Sequence, residues 1–87
     1  MEVDITFTHP RASKTFLATV GLGLTAQQAI LALLSPQNGF LQSPSPGSEY
    51  EIIIHRTGTA ISPHTTLGNA GVVDGDTLDI VLTAQAA

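Results

Sequence analysis

The first twenty residues alternate between apolar and polar side chains, with one break. Val3, Ile5 and Phe7 fall on one side of an extended chain, and the residues between them are acidic or threonine. Residues 9–13 interrupt this alternation, which resumes over residues 15–20. The two runs therefore predict two strands of an antiparallel hairpin, each with one buried face.

The next segment has the period of a helix. Thr25 and Gln28 have the spacing of a capping box, in which each side chain accepts a hydrogen bond from the other residue's backbone. Apolar residues then recur on one predicted helical face: Ala26, Ala29, Ile30, Leu33 and Leu34. Pro36 and the Asn38-Gly39 pair predict the end of this helix.

The second half of the chain contains a loop and further strands. Residues 35–49 include a run of serine, proline and glycine, which predicts an exposed loop. A third strand is predicted over residues 50–56. The closing strand places Leu78, Ile80 and Leu82 on its inward face.

The last third of the chain has a recognisable order of motifs: Thr66-Leu67, Gly71-Val72, Asp74-Gly75-Asp76 and the strand from Leu78 to Leu82. This order resembles the closing segment of ubiquitin-like proteins. Among bacterial families, the chain is most similar to the YukD/EsaB group and to the ubiquitin-like domain of EccD-type secretion components.

This resemblance, together with the order of predicted elements, implies an α+β fold. A hairpin, a crossover helix and further strands let one sheet wrap around one helix. We therefore expect a ubiquitin-like β-grasp, with a four- to five-stranded mixed sheet. The domain is predicted to span residues 1–82, and residues 83–87 are predicted to form a flexible C-terminal tail.

Composition narrows the classes of function. The chain has 87 residues, no cysteine and a formal net charge of −4, with only three arginine and lysine residues. Nucleic acids and anionic membranes attract cationic surfaces, so we expect neither as a partner. No signal peptide or membrane span is predicted, and we expect a cytoplasmic protein. The acidic net charge makes basic protein surfaces the natural partners, and we expect the chain to be a monomer.

His55 and Asp79 are the pair most similar to catalytic chemistry. If they lie on neighbouring strands, they resemble a general base and the carboxylate that orients it. No nucleophile or enclosing pocket accompanies them, so we expect an exposed ion pair and no enzymatic activity. The three histidines are scattered along the chain, and we expect no metal and no cofactor.

The outer face of the predicted sheet is a candidate docking surface. It is predicted to present five residues away from the helix: Leu17, Ile53, His55, Asp79 and Val81. Ubiquitin docks its receptors through the corresponding face, so the resemblance implies a partner-docking patch here. Scattered exposed apolar residues are also ordinary on protein surfaces, and that alternative stays open.

The C-terminal residues are the second candidate site. Ala86 and Ala87 stand where ubiquitin has Gly-Gly, and a tail of small residues suits threading into an activating enzyme. We favour a modifier that is activated and conjugated through this tail. The alternative is a non-covalent YukD/EsaB-like adaptor of a secretion (type VII) or other protein complex, in which the tail is a frayed end.

Overall fold

The structure is a computed structural model, which describes residues 2–44 and 46–84. It contains six regular elements, in this order: β1 (Glu2–Thr8), β2 (Thr15–Gly21), α1 (Ala26–Leu34), β3 (Ser48–Ile54), β4 (Thr59–Ile61) and β5 (Thr77–Ala84). The hairpin and the helix lie where the apolar periodicity predicts them. Both partners of the capping box are present, because Thr25 accepts from Gln28 and Gln28 accepts from Thr25.

The strands form one mixed sheet with the order β2-β1-β5-β3-β4. β5 lies in the middle, parallel to β1 and antiparallel to β3. The other two neighbouring pairs, β1 with β2 and β3 with β4, are antiparallel. This sheet packs against a single helix, so the predicted β-grasp architecture with five strands is confirmed.

The core lies between α1 and the inward face of the sheet. Ile52 of β3 is paired with Ile80 of β5, and both side chains are almost completely buried. Ala29 and Leu33 are buried on the helix side of the same core. The remaining inward residues belong to the strands and connections: Val3, Ile5, Phe7, Ala26, Phe40, Leu41, Ile54, Ile61, Leu67, Val72 and Leu78.

The predicted boundaries of the third strand need correction. β3 begins at Ser48 and ends at Ile54, two residues earlier at each end than predicted. β5 continues to Ala84, so it includes two residues that the sequence analysis assigns to the tail. The cause is mutual pairing: Ser48 lies opposite Ala84, so each strand extends the other. Polar residues near a turn carry little periodicity, and the partner strand decides their conformation.

The connection from β4 to β5 is irregular, but it is anchored to the rest of the fold at two points. Leu67 is fully buried, and its backbone N–H donates to the carbonyl of Leu24 at 2.8 Å. Gly75 has a φ of 87°, which favours glycine in this tight turn. Its N–H donates to the carbonyl of Asp4, so the turn is tied to the start of β1.

Candidate functional site

The outer face of β3 and β5 brings four of the five predicted patch residues together. Ile53 lies directly opposite Asp79 in the antiparallel register, and Glu51 lies opposite Val81. His55 follows β3 and shares the face of Ile53. The residues form one continuous surface because neighbouring strands lie about 4.8 Å apart.

His55 and Asp79 form the predicted cross-strand pair. His55 Nδ1 lies 2.8 Å from Asp79 Oδ2, and the two side chains are 70% and 30% exposed. The hydroxyl of Thr8 donates to the other oxygen, Asp79 Oδ1, at 2.9 Å. The hydroxyl therefore contacts the carboxylate and not the imidazole, an arrangement that does not activate a nucleophile. An ion pair this exposed contributes only about 0.2–1 kcal/mol to stability.

The structure separates Leu17 from the other patch residues. Leu17 lies on β2 at the sheet edge, three strand steps from β3, which corresponds to roughly 14 Å. The strand between β2 and β5 presents Asp4, Thr6 and Thr8 on this face. Strand order is set by long-range pairing, which the alternation of residues within each strand does not encode.

Arg56 and Asp76 form a second ion pair, which the sequence reasoning missed. Arg56 Nε donates to Asp76 Oδ1 at 2.9 Å and Nη2 donates to Asp76 Oδ2 at 3.1 Å. Asp76 is the one charged residue that is buried among the described positions, with 6% exposure. The Arg56 hydrogen bonds hold the pKa of the Asp76 carboxyl below its usual range.

This pair connects the end of β3 to the turn before β5. Asp76 Oδ2 also accepts from the Val73 N–H at 3.0 Å, and Arg56 Nη2 donates to the carbonyl of Gly71. The sequence does contain a signal for this pair. Asp76 is two residues before the inward-facing Leu78, so it should face inward as well, and a buried carboxylate requires a cationic partner. The arrangement stabilises a loop and offers no open site.

Comparison with known proteins adds information on the fold. In sequence, the chain matches no protein-family model and no curated protein. In structure, it is similar to Caldiarchaeum subterraneum ubiquitin, with a TM-score of 0.70, 16% identity and 100% coverage of both chains. The fold is a ubiquitin-like β-grasp.

Two further similar structures come from proteins of different kinds, an EccD5 domain and a monooxygenase complex. The EccD5 ubiquitin-like domain from Mycobacterium xenopi has a TM-score of 0.67 and 14% identity, with 99% of each chain covered. A chain in the toluene 4-monooxygenase HD complex with 4-bromobenzoate has a TM-score of 0.75 and 14% identity. That match covers 95% of this chain and 100% of the other. Similarity at these identities establishes the fold alone.

The predicted conjugation residues, Ala86 and Ala87, lie outside the described residues. The structure describes the strand that precedes them, β5. β1 accompanies β5 as far as the pair Thr8 and Asp79, and β5 then continues to Ala84. In this ubiquitin-like fold, the central strand therefore extends past its parallel neighbour at one end of the sheet.

A basic loop adjoins this end of β5. His9, Arg11 and Lys14 of the β1–β2 connection line a depression of about 280 Å³ together with Tyr50 and Leu82. The loop is ordered by His9 Nδ1, which accepts from the backbone N–H groups of Arg11 and Ala12 at 3.1 Å each. Arg11 and Lys14, two of the three arginine and lysine residues in the sequence, therefore lie near the C-terminal end of β5.

The described residues form neither a metal-binding cluster nor a membrane-spanning helix. Across residues 2–44 and 46–84, no group of three or more potential metal-ligating side chains is clustered. No helix in the described part of the chain has both the length and the apolar character to cross a membrane.

Proposed function

We propose that this chain is a bacterial ubiquitin-like modifier of a dedicated conjugation system in the cytoplasm. Attachment occurs through the carboxylate of its C-terminal tail, at Ala87. The proposal rests on the ubiquitin-like fold and on the YukD/EsaB-like character of the closing segment. Its partners are proteins, namely activating and conjugating enzymes, since a net charge of −4 disfavours nucleic acids and anionic membranes.

The extension of β5 is the observation that carries this proposal. Conjugation requires the carboxylate to displace pyrophosphate from a nucleoside triphosphate, after which a target amine displaces the nucleoside monophosphate. The enzyme must therefore reach the carboxylate without unfolding the domain. Because β5 runs past β1 to Ala84, its last described residues pair with β3 alone and lie at one end of the sheet.

The decisive experiment is co-expression with the proteins encoded beside it in the native genome, followed by intact-mass analysis. We expect a species joined through an amide bond to Ala87, mapped by peptide sequencing. Deletion of Ala86 and Ala87, or addition of a tryptophan after Ala87, should abolish this species. Both variants should keep the wild-type melting temperature, since terminal residues contribute little to stability.

A Lys14→Arg variant controls for self-conjugation. Lys14 is the only lysine, so chains of this protein form there or at the N-terminal amine. This variant should still conjugate to targets while losing the Lys14-linked chains. Recovery of the free chain alone, from cells that contain every neighbouring gene product, would contradict the modifier proposal.

A second candidate is a non-covalent adaptor, and the outer sheet face favours it. Ile53 and Val81 lie on neighbouring strands there, flanked by Glu51, His55 and Asp79. An apolar centre flanked by the carboxylates of Glu51 and Asp79 is complementary to a partner with a basic rim. In this case the chain joins a secretion (type VII) or other protein complex and is never covalently attached.

The double variant Ile53→Asp and Val81→Asp tests the adaptor. Both side chains are half-buried on an outward face, so the fold should survive while binding is lost, because an unpaired charge in a desolvated interface is costly. Leu31→Asp with Val73→Asp is the matched control, since these apolar residues are exposed elsewhere. An unchanged set of proteins in pull-downs with the patch variant would contradict the adaptor.

A further inference from the structure

β2 is an edge strand without the features that usually protect such an edge. It pairs with β1 on one side, and the sheet ends there. Over Thr15–Gly21 it contains no charged residue and no proline, and its register with β1 runs without a bulge. Unprotected edges of this kind are templates for pairing with another strand.

The register shows which backbone groups point away from β1. The His9 N–H donates to the carbonyl of Lys14, so those two residues form a hydrogen-bonded pair. Hydrogen-bonded and non-hydrogen-bonded pairs alternate along an antiparallel ladder. Phe16 and Ala18 therefore bond to β1, whereas the N–H and C=O groups of Leu17 and Thr19 point outward at the edge.

The side chains beside this edge are largely apolar. A groove of about 500 Å³ separates β2 from α1, and its lining includes Phe16, Val20 and Leu24. On the opposite face, Leu17 is 76% exposed, which is the largest exposure among the described bulky apolar residues. The edge thus offers free backbone groups and apolar surface on both faces.

We propose that β2 pairs with β2 of a second copy of this chain, antiparallel about a twofold axis at Ala18. In this register Leu17 faces Thr19 of the second copy, and the reverse pair forms by symmetry. The outward backbone groups then bond to each other, because both members of each pair are edge-facing residues. The inward Phe16 of each copy approaches Val20 of the other and enters its groove.

Charge placement supports a second copy as the occupant. Lys14 precedes β2, and Glu2 lies beside the far end of β2 because it pairs with Gly21. An antiparallel dimer brings the Lys14 end of one copy to the Glu2 end of the other, twice by symmetry. Two acidic molecules therefore meet through a neutral strand, and at each end a basic residue of one copy lies two strand spacings, roughly 10 Å, from an acidic residue of the other.

The absence of cysteine makes a direct test possible. In the proposed register, Ala18 faces Ala18 of the second copy in a non-hydrogen-bonded pair, with Cα atoms about 4.5 Å apart. This separation suits a disulfide bond. With glutathione disulfide as the oxidant, Ala18→Cys should form a covalent dimer about tenfold faster than the control Leu31→Cys, whose thiol lies on the helix.

Sedimentation equilibrium of the unmodified chain provides the second measurement. The weight-average mass should rise from 9.0 kDa with concentration. It should approach about 18 kDa for a twofold dimer. Leu17→Lys should raise the dissociation constant by at least about tenfold, whereas Leu31→Lys, the same change on the helix, should leave it within about twofold. A chain that stays monomeric to about 1 mM, or equal cross-linking of the two cysteine variants, would overturn the proposal.

Discussion

Ile80 tests whether the closing strand contributes to the core as the structure describes. It lies on the central strand with 1% exposure, and it faces Ile52 across the ladder. Ile80→Ala removes one CH₂ and two CH₃ groups, which is worth about 2.4 kcal/mol in transfer free energy. A residual cavity of roughly 40 Å³ adds about 1 kcal/mol at 24 cal/mol per Å³.

The expected loss in the free energy of unfolding is therefore about 3–4 kcal/mol. A domain of 87 residues has a total of only about 4–13 kcal/mol, so the variant should be marginally folded. Its melting temperature should fall by about 12–30 °C. Urea denaturation followed by far-UV circular dichroism, with wild type and variant at the same pH, measures the difference.

Val81→Ala is the matched control, because Val81 is the next residue but faces outward and is half-buried. It should cost less than about 1 kcal/mol. If Ile80→Ala costs less than about 0.5 kcal/mol, or if Val81→Ala costs more than Ile80→Ala, the inward and outward faces of β5 are assigned incorrectly.

Two further predictions concern the turn before β5 and the start of the helix. Asp76 has a lowered pKa in the folded chain, so its contribution to stability is present above the unfolded value of about 3.9 and is lost as pH falls through the folded value. Asp76→Asn should therefore be less stable than wild type at pH 7, with the difference shrinking towards pH 2.5 in urea titrations. A stability difference that stays constant over this pH range would contradict the contribution of the Arg56–Asp76 ion pair. Thr25→Ala removes the capping hydrogen bond from the Gln28 N–H and should cost about 1 kcal/mol, whereas Thr25→Ser should restore most of that loss in thermal unfolding.

Sequence periodicity predicted the elements that bury an amphipathic face. β1, β2 and α1 each carry enough regularly spaced apolar residues for the pattern to specify both the element and its orientation. The inward orientation of Leu78 and Ile80 in β5 was predictable for the same reason. The extension of β3 and β5 to Ser48 and Ala84 was not, because it depends on pairing between residues far apart in the chain.

The same limit applies to the candidate site: the face on which a residue lies was predictable, but the neighbouring strand was not. Ile53 and Asp79 were expected on one face because their parity within each strand is fixed by the buried residues around them. Leu17 has that parity as well, but parity does not specify which strands are neighbours. The sequence analysis does not predict the Arg56–Asp76 ion pair, although Asp76 falls on the inward side, two residues before Leu78, and a buried carboxylate implies a cationic partner.

The position of Leu17 at the far edge also determines how the functional proposals can be separated. The proposed conjugation would use the chain beyond Ala84, and the proposed docking would use Ile53 and Val81. The proposed self-association would use β2, which lies on the other side of β1. Substitutions more than about 7–10 Å apart with no shared partner are usually additive. Leu17→Lys should therefore leave docking through Ile53 and Val81 intact if the adaptor binds one chain. A simultaneous loss of both, in a variant with the wild-type melting temperature, would mean that the partner recognises two copies joined at β2, since β1 separates the two surfaces within the described sheet.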